Sequence, residues 1–482
     1  MRKKFIINLI FLLFLNLLVK PFWIFGVERS VQNIVGASEF GFYFSLLNFS
    51  LLLNIILDFG ITNFNNRNIS QNCNILSKHV SNIVSLKFIL AIVYAVLTIA
   101  AALIIGYDSR QISILAMLIF NQFLLSFILY LRSNLSGLQL FKTDSVISVL
   151  DRFLMIILCS VLIWGNVSGK SLKIEWFVLI QTFSYLLTAI VAFILVISKT
   201  TFFKINFDLR FFRVFLRKSY PYALLILLMA FYNRIDSVML ERLLPDGKEQ
   251  AGIYAQAFRI LEAGSMFPYL FSILLLPMFA KMLKKRQNIE ELAKLSFILV
   301  IVPGILIMNI CHFFNEEIMT LMYWEHVDSS ALTLSFLMTG FLGICTTYIF
   351  GTLLTSNGNM KQLNIMAAFG MLLNIILNFI LIPQFEVVGS AIASMITQVL
   401  TGLSQLFIAT KIFKFKINYK LIVSITVFIA ISILLTAFIS SLSYNWIILV
   451  FVALLSSLLL AFATGLFKVK AILNVIRERD EE

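Results

Sequence analysis

The sequence is poor in the residues from which soluble proteins build surfaces, loops and metal sites. Only 13% of its 482 residues are charged, against about 25% in soluble domains, and it contains 7 Pro and 20 Gly. Its four cysteines have no CxxC spacing, and its three histidines form no HExxH pair. These shortages exclude a soluble multidomain enzyme and a disulfide-built fold, and we expect no metal site.

Apolar residues dominate instead. They make up 60% of the chain, which has 48 Phe and a mean hydropathy of +0.96. A helix needs about 20 apolar residues to cross the hydrocarbon core of a bilayer. The sequence predicts an all-α polytopic membrane protein with about 14 transmembrane helices. The predicted spans are 5–27, 40–62, 83–106, 112–133, 146–165, 174–198, 218–240, 252–282, 292–313, 331–355, 363–383, 386–411, 419–441 and 446–467.

The placement of positive charge predicts the orientation of these spans. Most of the 38 Lys and Arg residues lie in the two tails and in the even-numbered loops. The positive-inside rule then places both termini in the cytoplasm. Although the net charge is +14, the basic residues form short clusters between spans and no continuous face. We therefore expect the lipid bilayer as a partner and no nucleic acid.

A repeat offset by six spans predicts the domain organisation. Gly41-Phe42-Tyr43 opens the second span, and Gly252-Ile253-Tyr254 opens the eighth. Parallel six-helix repeats are typical of transporters. We predict two pseudo-symmetric six-helix lobes and two further C-terminal helices. The predicted boundaries are an N-terminal lobe at 1–198, a basic cytoplasmic linker at 199–217, a C-terminal lobe at 218–411, and spans 13–14 with the tail at 412–482.

Charged residues inside the apolar spans are the candidate functional residues, because each costs about 2.5–3.5 kcal/mol near a helix centre. They concentrate in spans one, two, five, seven and eight. Internal salt bridges are the alternative interpretation, above all for Arg259 with Glu262 at i, i+3. Lys87, near the end of span three, is expected to snorkel to the interface. The candidates are Lys20, Asp58, Asp151, Arg152, Arg234, Asp236, Arg259 and Glu262.

The chemistry of these side chains predicts two roles. Arg grips phosphate bidentately and stays charged when desolvated, so Arg234 and Arg259 are predicted to bind an anionic head group such as pyrophosphate. Lys20 and Arg152 are further candidates for that role. The ion-coupling or charge-partner candidates are Asp58, Asp236, Glu262 and Asp151. The expected coupling ion is H⁺ or Na⁺; no other cofactor and no catalytic residue is predicted.

The loop at 314–330 gathers several acidic residues with Tyr323 and Trp324. We interpret it as an interfacial helix whose aromatic residues lie in the aromatic belt of the membrane. A cation site is the alternative.

Segments across nearly the whole chain resemble a known family. They are KPFW (20–23), NIVGASEFGFYF (33–44), FYNRIDSVMLERLLPDGKEQAGIYAQAFRI (231–260) and NIILNFILIPQFEVVGSAIASMITQ (374–398). Together with the six-plus-six-plus-two layout, they resemble the Wzx-type lipid-linked oligosaccharide flippases. These form part of the polysaccharide-transport branch of the multidrug/oligosaccharidyl-lipid/polysaccharide exporter superfamily.

The resemblance implies a two-lobed bundle with alternating access. It implies a flippase, not an enzyme, that transfers undecaprenyl-pyrophosphate-linked repeat units of O-antigen, capsule or exopolysaccharide from the inner to the outer leaflet of a bacterial cytoplasmic membrane. Polysaccharide polymerase machinery is the implied downstream partner. Arg234 and Arg259 match the basic positions of the family best, and Lys20 and Arg152 match more loosely.

Two other functions stay open from the residues. An ion-coupled multidrug exporter has the same fold. A membrane polysaccharide polymerase or ligase is a third candidate, against which the short external loops and the lack of an acid–base or nucleophile constellation argue.

Overall fold

The computed structural model describes residues 19, 21–62, 65, 66, 69, 72, 74, 76–165, 172–204, 209–416 and 418–467, with the backbone alone at 209–211 and 214–219. These residues form helices joined by short connections, and no strand occurs among them. The helices are α1 (Phe22–Leu52), α2 (Leu76–Ile105), α3 (Ser109–Gly137), α4 (Phe141–Trp164), α5 (Ile174–Ile197), α6 (Leu209–Leu243), α7 (Gly247–Lys284), α8 (Glu290–Phe313), α9 (Asn315–Met322), α10 (Val327–Ser356), α11 (Met360–Phe413), α12 (Tyr419–Ser440) and α13 (Trp446–Ala463).

The described part of the chain contains twelve helices long and apolar enough to cross a membrane, which are all of these except α9. Helix α11 has 54 residues, more than two crossings need. It breaks at Glu386, the first residue of the second of the two predicted spans, 363–383 and 386–411. Most of the predicted span 5–27 lies outside the described residues. The predicted fold class, an all-α polytopic membrane protein, is confirmed.

Helix α1 differs most from its prediction. It starts with a π-helical turn at Phe22–Glu28 and breaks at Gly36, whose φ of 84° places it in the left-handed region that glycine adopts readily. Its regular helix then ends at Leu52, although the sequence predicts a span to residue 62. A 3-10 turn at Asn54–Leu57 follows.

By contacts the chain divides into two units, Met1–Ala255 and Gln256–Glu482. In the first unit, α3 packs against α1, α2, α4 and α5, and α1 also packs against α6. In the second unit, α10 packs most extensively against α11 and also against α8, and α12 and α13 pair with each other beside α8. The predicted lobe boundaries stay a prediction.

The acidic loop at 314–330 contains a helix, as expected. Helix α9 covers Asn315–Met322, and Phe314, which precedes it, packs in a small core with Ile439, Leu449 and Ala453. Trp324 is 72% exposed. The helix is therefore anchored to α12 and α13, while its location at a membrane interface stays a prediction.

The two glycines of the sequence repeat meet within the first unit. A Cβ on Gly41 would lie 1.9 Å from the carbonyl oxygen of Lys248 and 2.3 Å from the backbone nitrogen of Gly252. A Cβ on Gly252 would lie 1.9 Å from the carbonyl oxygen of Ala37. In addition, Gln32 Nε2 donates to the Gly252 carbonyl at 2.9 Å. At this point the backbones of α1 and α7 touch. A side chain at Gly41 or at Gly252 would collide with the backbone of the facing helix.

The contact at Gly41 gives a test of this packing. Gly41→Ala is expected to lower the free energy of unfolding by about 1–3 kcal/mol, because backbone atoms cannot yield as a flexible side chain can. Gly264→Ala, on α7, is the control, since the atom nearest to the added Cβ would be 3.8 Å away. The midpoint of thermal unfolding in detergent measures both variants. Equal midpoints for the two would show that α1 and α7 do not approach this closely.

Candidate functional site

Arg234 lies on α6 and is half-buried against α1. Its Nη1 donates to Asn48 Oδ1 at 3.3 Å, and Asn48 Nδ2 donates to Ser237 Oγ at 2.9 Å. Asn48 and Ser237 are 2% and 1% exposed. A series of hydrogen bonds inside the protein therefore links α1 to α6, and the guanidinium of Arg234 takes part in it.

Asp236 lies two residues from Arg234 and is 1% exposed. Its Oδ2 accepts a hydrogen bond of 2.7 Å from the hydroxyl of Tyr254, on the first turns of α7. The repeat residue Tyr254 thus donates a hydrogen bond to a buried carboxylate. The sequence alone predicts the charge at 236 but not this partner.

Arg259 and Glu262 form the ion pair that their i, i+3 spacing allows. Arg259 Nη1 lies 2.7 Å from Glu262 Oε2, and Arg259 is 8% exposed. One turn earlier on α7, Gln256 Nε2 donates to the carbonyl oxygen of Glu325 at 3.3 Å. This pair belongs to the second unit, whereas Arg234 and Asp236 belong to the first. A carboxylate partner lowers the cost of keeping a guanidinium buried.

Arg152 has aromatic partners that the sequence does not reveal. Its Nη1 donates to the Tyr185 hydroxyl at 3.0 Å and contacts Met155 Sδ at 3.3 Å. Its guanidinium also lies 5.4 Å from the Trp23 ring centroid and 5.7 Å from that of Tyr185. Cation–π contacts of this kind contribute about 0.5–2 kcal/mol each. Arg152 therefore ties α1, α4 and α5 together.

Two carboxylates lie near Arg152. Asp151 is 9% exposed, and Glu28, at the start of α1, is 5% exposed. Both act electrostatically on the guanidinium. The sequence prediction includes Asp151 but misses Glu28, because that residue falls between two predicted spans. Lys20, the remaining basic candidate, lies outside the described residues.

Asp58 pairs with Lys87, a residue for which the sequence predicts a different location. Lys87 is predicted to snorkel, but it is 1% exposed and its Nζ lies 2.8 Å from Asp58 Oδ1. The Lys87 ammonium also donates to the Leu57 carbonyl and to Ser126 Oγ, both at 2.8 Å. Because the regular helix α1 ends early, the Leu57 carbonyl is not bonded within a helix, and the Lys87 side chain points inward and donates to it. The apolar residues that follow Lys87 for about two turns are the sequence signal that could have indicated a buried lysine.

A second polar cluster joins α3 to the end of α6. Gln111 Nε2 donates to Glu241 Oε1 at 2.8 Å, and Arg242 Nη2 donates to Gln111 Oε1 at 3.1 Å. The guanidinium of Arg242 lies 4.0 Å from the ring centroid of Tyr107. Burial raises the pKa of the Tyr107 phenol, and the nearby carboxylate of Glu241 adds to this effect. Tyr107 is therefore neutral at physiological pH.

Arg110, one residue before Gln111, bridges two carboxylates on other helices. Its Nη2 lies 2.7 Å from Glu39 Oε2 and 2.8 Å from Glu175 Oε1. All three side chains are between 34% and 46% exposed, so each pair contributes about 0–1 kcal/mol. The network links the middle of α1 to the first turns of α3 and α5 but is a weak determinant of stability.

Apolar crossing helices with engaged buried charges define the chain as a multi-pass membrane protein, and its fold is that of known transporters. It is similar to the lipid II flippase MurJ in an inward closed conformation, with a TM-score of 0.73, 15% identity, and coverage of 94% of this chain and 98% of that one. It is also similar to an inward-facing multidrug resistance MATE family transporter of the MOP superfamily, with a TM-score of 0.63, 15% identity, and coverage of 81% and 94%. Identities this low show the fold alone.

The family follows from the sequence itself. The family model described as polysaccharide biosynthesis protein matches residues 7–283, more than half of the chain, and the chain belongs to this family. The MatE model matches residues 221–380. The capsular polysaccharide biosynthesis protein CapF of Staphylococcus aureus is 25% identical over 184 residues, which are 37% of this chain and 45% of that protein. The match thus spans less than half the length of that relative. The predicted family resemblance is confirmed.

The Asn48–Ser237 contact gives a test of the hydrogen bonds between α1 and α6. Ser237→Ala leaves the buried amide of Asn48 without its acceptor, which costs about 1–3 kcal/mol of unfolding free energy. Ser441→Ala is the control, because its exposed hydroxyl bonds only to the nearby carbonyl of Phe438. Unfolding midpoints in detergent measure both. If Ser237→Ala and the control had equal midpoints, the hydrogen bond between Asn48 and Ser237 would not stabilise the packing of α1 against α6.

Proposed function

We propose that the chain is a flippase for undecaprenyl-pyrophosphate-linked oligosaccharide repeat units of O-antigen, capsule or exopolysaccharide. It moves them by alternating access from the inner to the outer leaflet of a bacterial cytoplasmic membrane, with both termini in the cytoplasm. The match to the polysaccharide biosynthesis protein family supports this substrate class. The fold shared with a lipid II flippase supports the same kind of activity.

The observation that carries the proposal is Arg259, a guanidinium that is 8% exposed on an apolar helix. Because it is costly to bury a charged group in a membrane-spanning helix, a buried arginine indicates a functional role. Its Nη1 pairs with Glu262, and its planar fork suits a pyrophosphate. Arg234, half-buried beside Asn48, is the second proposed phosphate ligand. Lys20 remains a candidate for the same role.

Arg152 is proposed to contribute less to phosphate binding than Arg234 or Arg259. Its guanidinium already donates to Tyr185 and lies over the rings of Trp23 and Tyr185. The acidic candidates Asp58, Asp236, Glu262 and Asp151 are proposed to bind the coupling ion, H⁺ or Na⁺, or to act as charge partners of these bases. Polysaccharide polymerase machinery is the proposed consumer of the flipped unit.

An ion-coupled multidrug exporter of the same fold is the second candidate, favoured by the MatE match over residues 221–380. Such an exporter holds cationic drugs with carboxylates. Here Asp58 bonds to Lys87, Asp236 to Tyr254 and Glu262 to Arg259. Carboxylates that already have partners are weaker ligands for a cationic drug, so these contacts support an anionic substrate. A polymerase or ligase is the third and weakest candidate.

Reconstituted vesicles test the role of Arg259. Arg259→Gln is expected to lower the rate of flipping of a labelled lipid-linked oligosaccharide by about 10- to 100-fold, because it removes a charge-assisted bond of about 1.5–3 kcal/mol. Arg286→Gln is the control, since Arg286 is exposed in the turn between α7 and α8. Scrambling of a reporter lipid with no phosphate measures vesicle integrity.

Glu262→Gln separates substrate binding from helix packing. It also breaks the ion pair but leaves the guanidinium in place, so flipping is expected to stay within about tenfold of wild type. Equal losses in Arg259→Gln and Glu262→Gln would show that flipping needs the intact ion pair and not the guanidinium alone. Normal flipping by Arg259→Gln would remove Arg259 from the site.

A further inference from the structure

The break that ends α1 frees a buried backbone carbonyl. The regular helix ends at Leu52, the chain turns at Asn54–Leu57, and Phe59 and Gly60 follow with positive φ angles of 43° and 81°. In a membrane-spanning protein a carbonyl released from its helix needs a partner inside the protein. Leu57, whose carbonyl is released here, is 1% exposed.

The ammonium group of Lys87, on α2, fills this break. Its Nζ lies 2.8 Å from each of three oxygens, Leu57 O, Asp58 Oδ1 and Ser126 Oγ. A fourth oxygen, Ser126 O, lies at 3.5 Å. We call Leu57 O, Asp58 Oδ1 and Ser126 Oγ the α1 cage. A primary ammonium has three donors, and the cage offers one acceptor for each.

The cage oxygens are also held by bonds that do not involve the lysine. Asp58 Oδ1 accepts from the Thr62 hydroxyl at 2.6 Å and from the Thr62 backbone nitrogen at 3.3 Å. Ser126 Oγ donates to the Leu57 carbonyl at 3.1 Å. The three oxygens are thus positioned by the segment that follows α1 and by α3, through bonds that do not involve the lysine.

A carbonyl, a carboxylate and a hydroxyl are the oxygen ligands that hard cations take in proteins, and their summed charge is −1. Transporters place such sites where a helix unwinds and its carbonyls turn inward. We propose that the α1 cage is a binding site for one monovalent cation, which this chain fills with its own Lys87 ammonium.

The consequence for coupling rests on the proposed transport function. A tethered ammonium excludes Na⁺ from the cage, so a proton is the ion that this site exchanges. An N–H bond of Lys87 breaks, the proton passes to water, and the nitrogen keeps the electron pair. Asp58, whose side chain is 29% exposed, then loses its counter-charge.

Among the residues that the structure describes, Asp58 is the charged group near the Lys87 ammonium. Asp58 follows the turn at Asn54–Leu57, and α3 contributes the neutral Ser126. On α2 the neighbouring stretch 84–90 has no other charged residue. The loss of one proton therefore changes the balance of a single ion pair.

Lys87→Ala tests the cage without any transport assay. In the full chain in lipid nanodiscs, this variant is expected to unfold at a lower temperature, and methylammonium is expected to restore the midpoint saturably. Tetramethylammonium, which has no N–H donor, is expected to restore nothing. Lys285→Ala, at an exposed lysine, is the control and should respond to neither salt.

Three results would overturn the cation site: equal responses to the two ammonium salts, no response to methylammonium, or a response that persists in Lys87→Ala/Asp58→Asn. Wild type supplies a further measurement if Lys87→Ala does not fold. Na⁺ in place of choline is expected to leave its midpoint unchanged. A Na⁺-specific rise that Asp58→Asn abolishes would contradict a cage filled by Lys87.

The transport arm separates this inference from the proposed function. In sodium-free vesicles, wild-type flipping is expected to depend on pH, and Lys87→Arg, which keeps its charge, is expected to be slower by about tenfold or more. Sodium-driven flipping in wild type would overturn the proton coupling and leave the flippase standing. A cage that binds methylammonium in a chain that flips nothing would support the cation site and overturn the proposed function.

Discussion

The absence of water from the hydrocarbon core is the constraint on which the rest of the structure depends. Every polar group that enters that region must find its partner within the protein. The Leu57 carbonyl accepts from the Lys87 ammonium, Asn48 donates to Ser237, and Asp236 accepts from Tyr254. These contacts cross between helices, so the same groups that are costly to bury also determine which helices pack together.

The fold was largely predictable because this constraint is written in the sequence as runs of apolar residues. The spans and the fold class follow from those runs, and the spacing of Arg259 and Glu262 alone permits their ion pair. The Gly41 and Gly252 repeat was visible as a pattern, although the close contact between the two glycines was not.

The details of the candidate site were less predictable because they depend on contacts distant in sequence. The inward turn of Lys87 depends on the end of α1, some 30 residues earlier, where the Leu57 carbonyl is released. Likewise, Arg152 lies against Trp23 and Tyr185, which come from two other helices. A hydropathy pattern indicates that a charge is buried, but it does not indicate which side chain meets it.

The central claim is that this chain moves a lipid-linked oligosaccharide across the bilayer. The most direct test is the leaflet distribution of undecaprenyl-pyrophosphate-linked oligosaccharide in the host after depletion of the protein. The account predicts that the lipid accumulates on the cytoplasmic leaflet and that re-expression of wild type restores the distribution. An unchanged distribution, accompanied by altered sensitivity to cationic dyes, would contradict the account and favour the multidrug exporter.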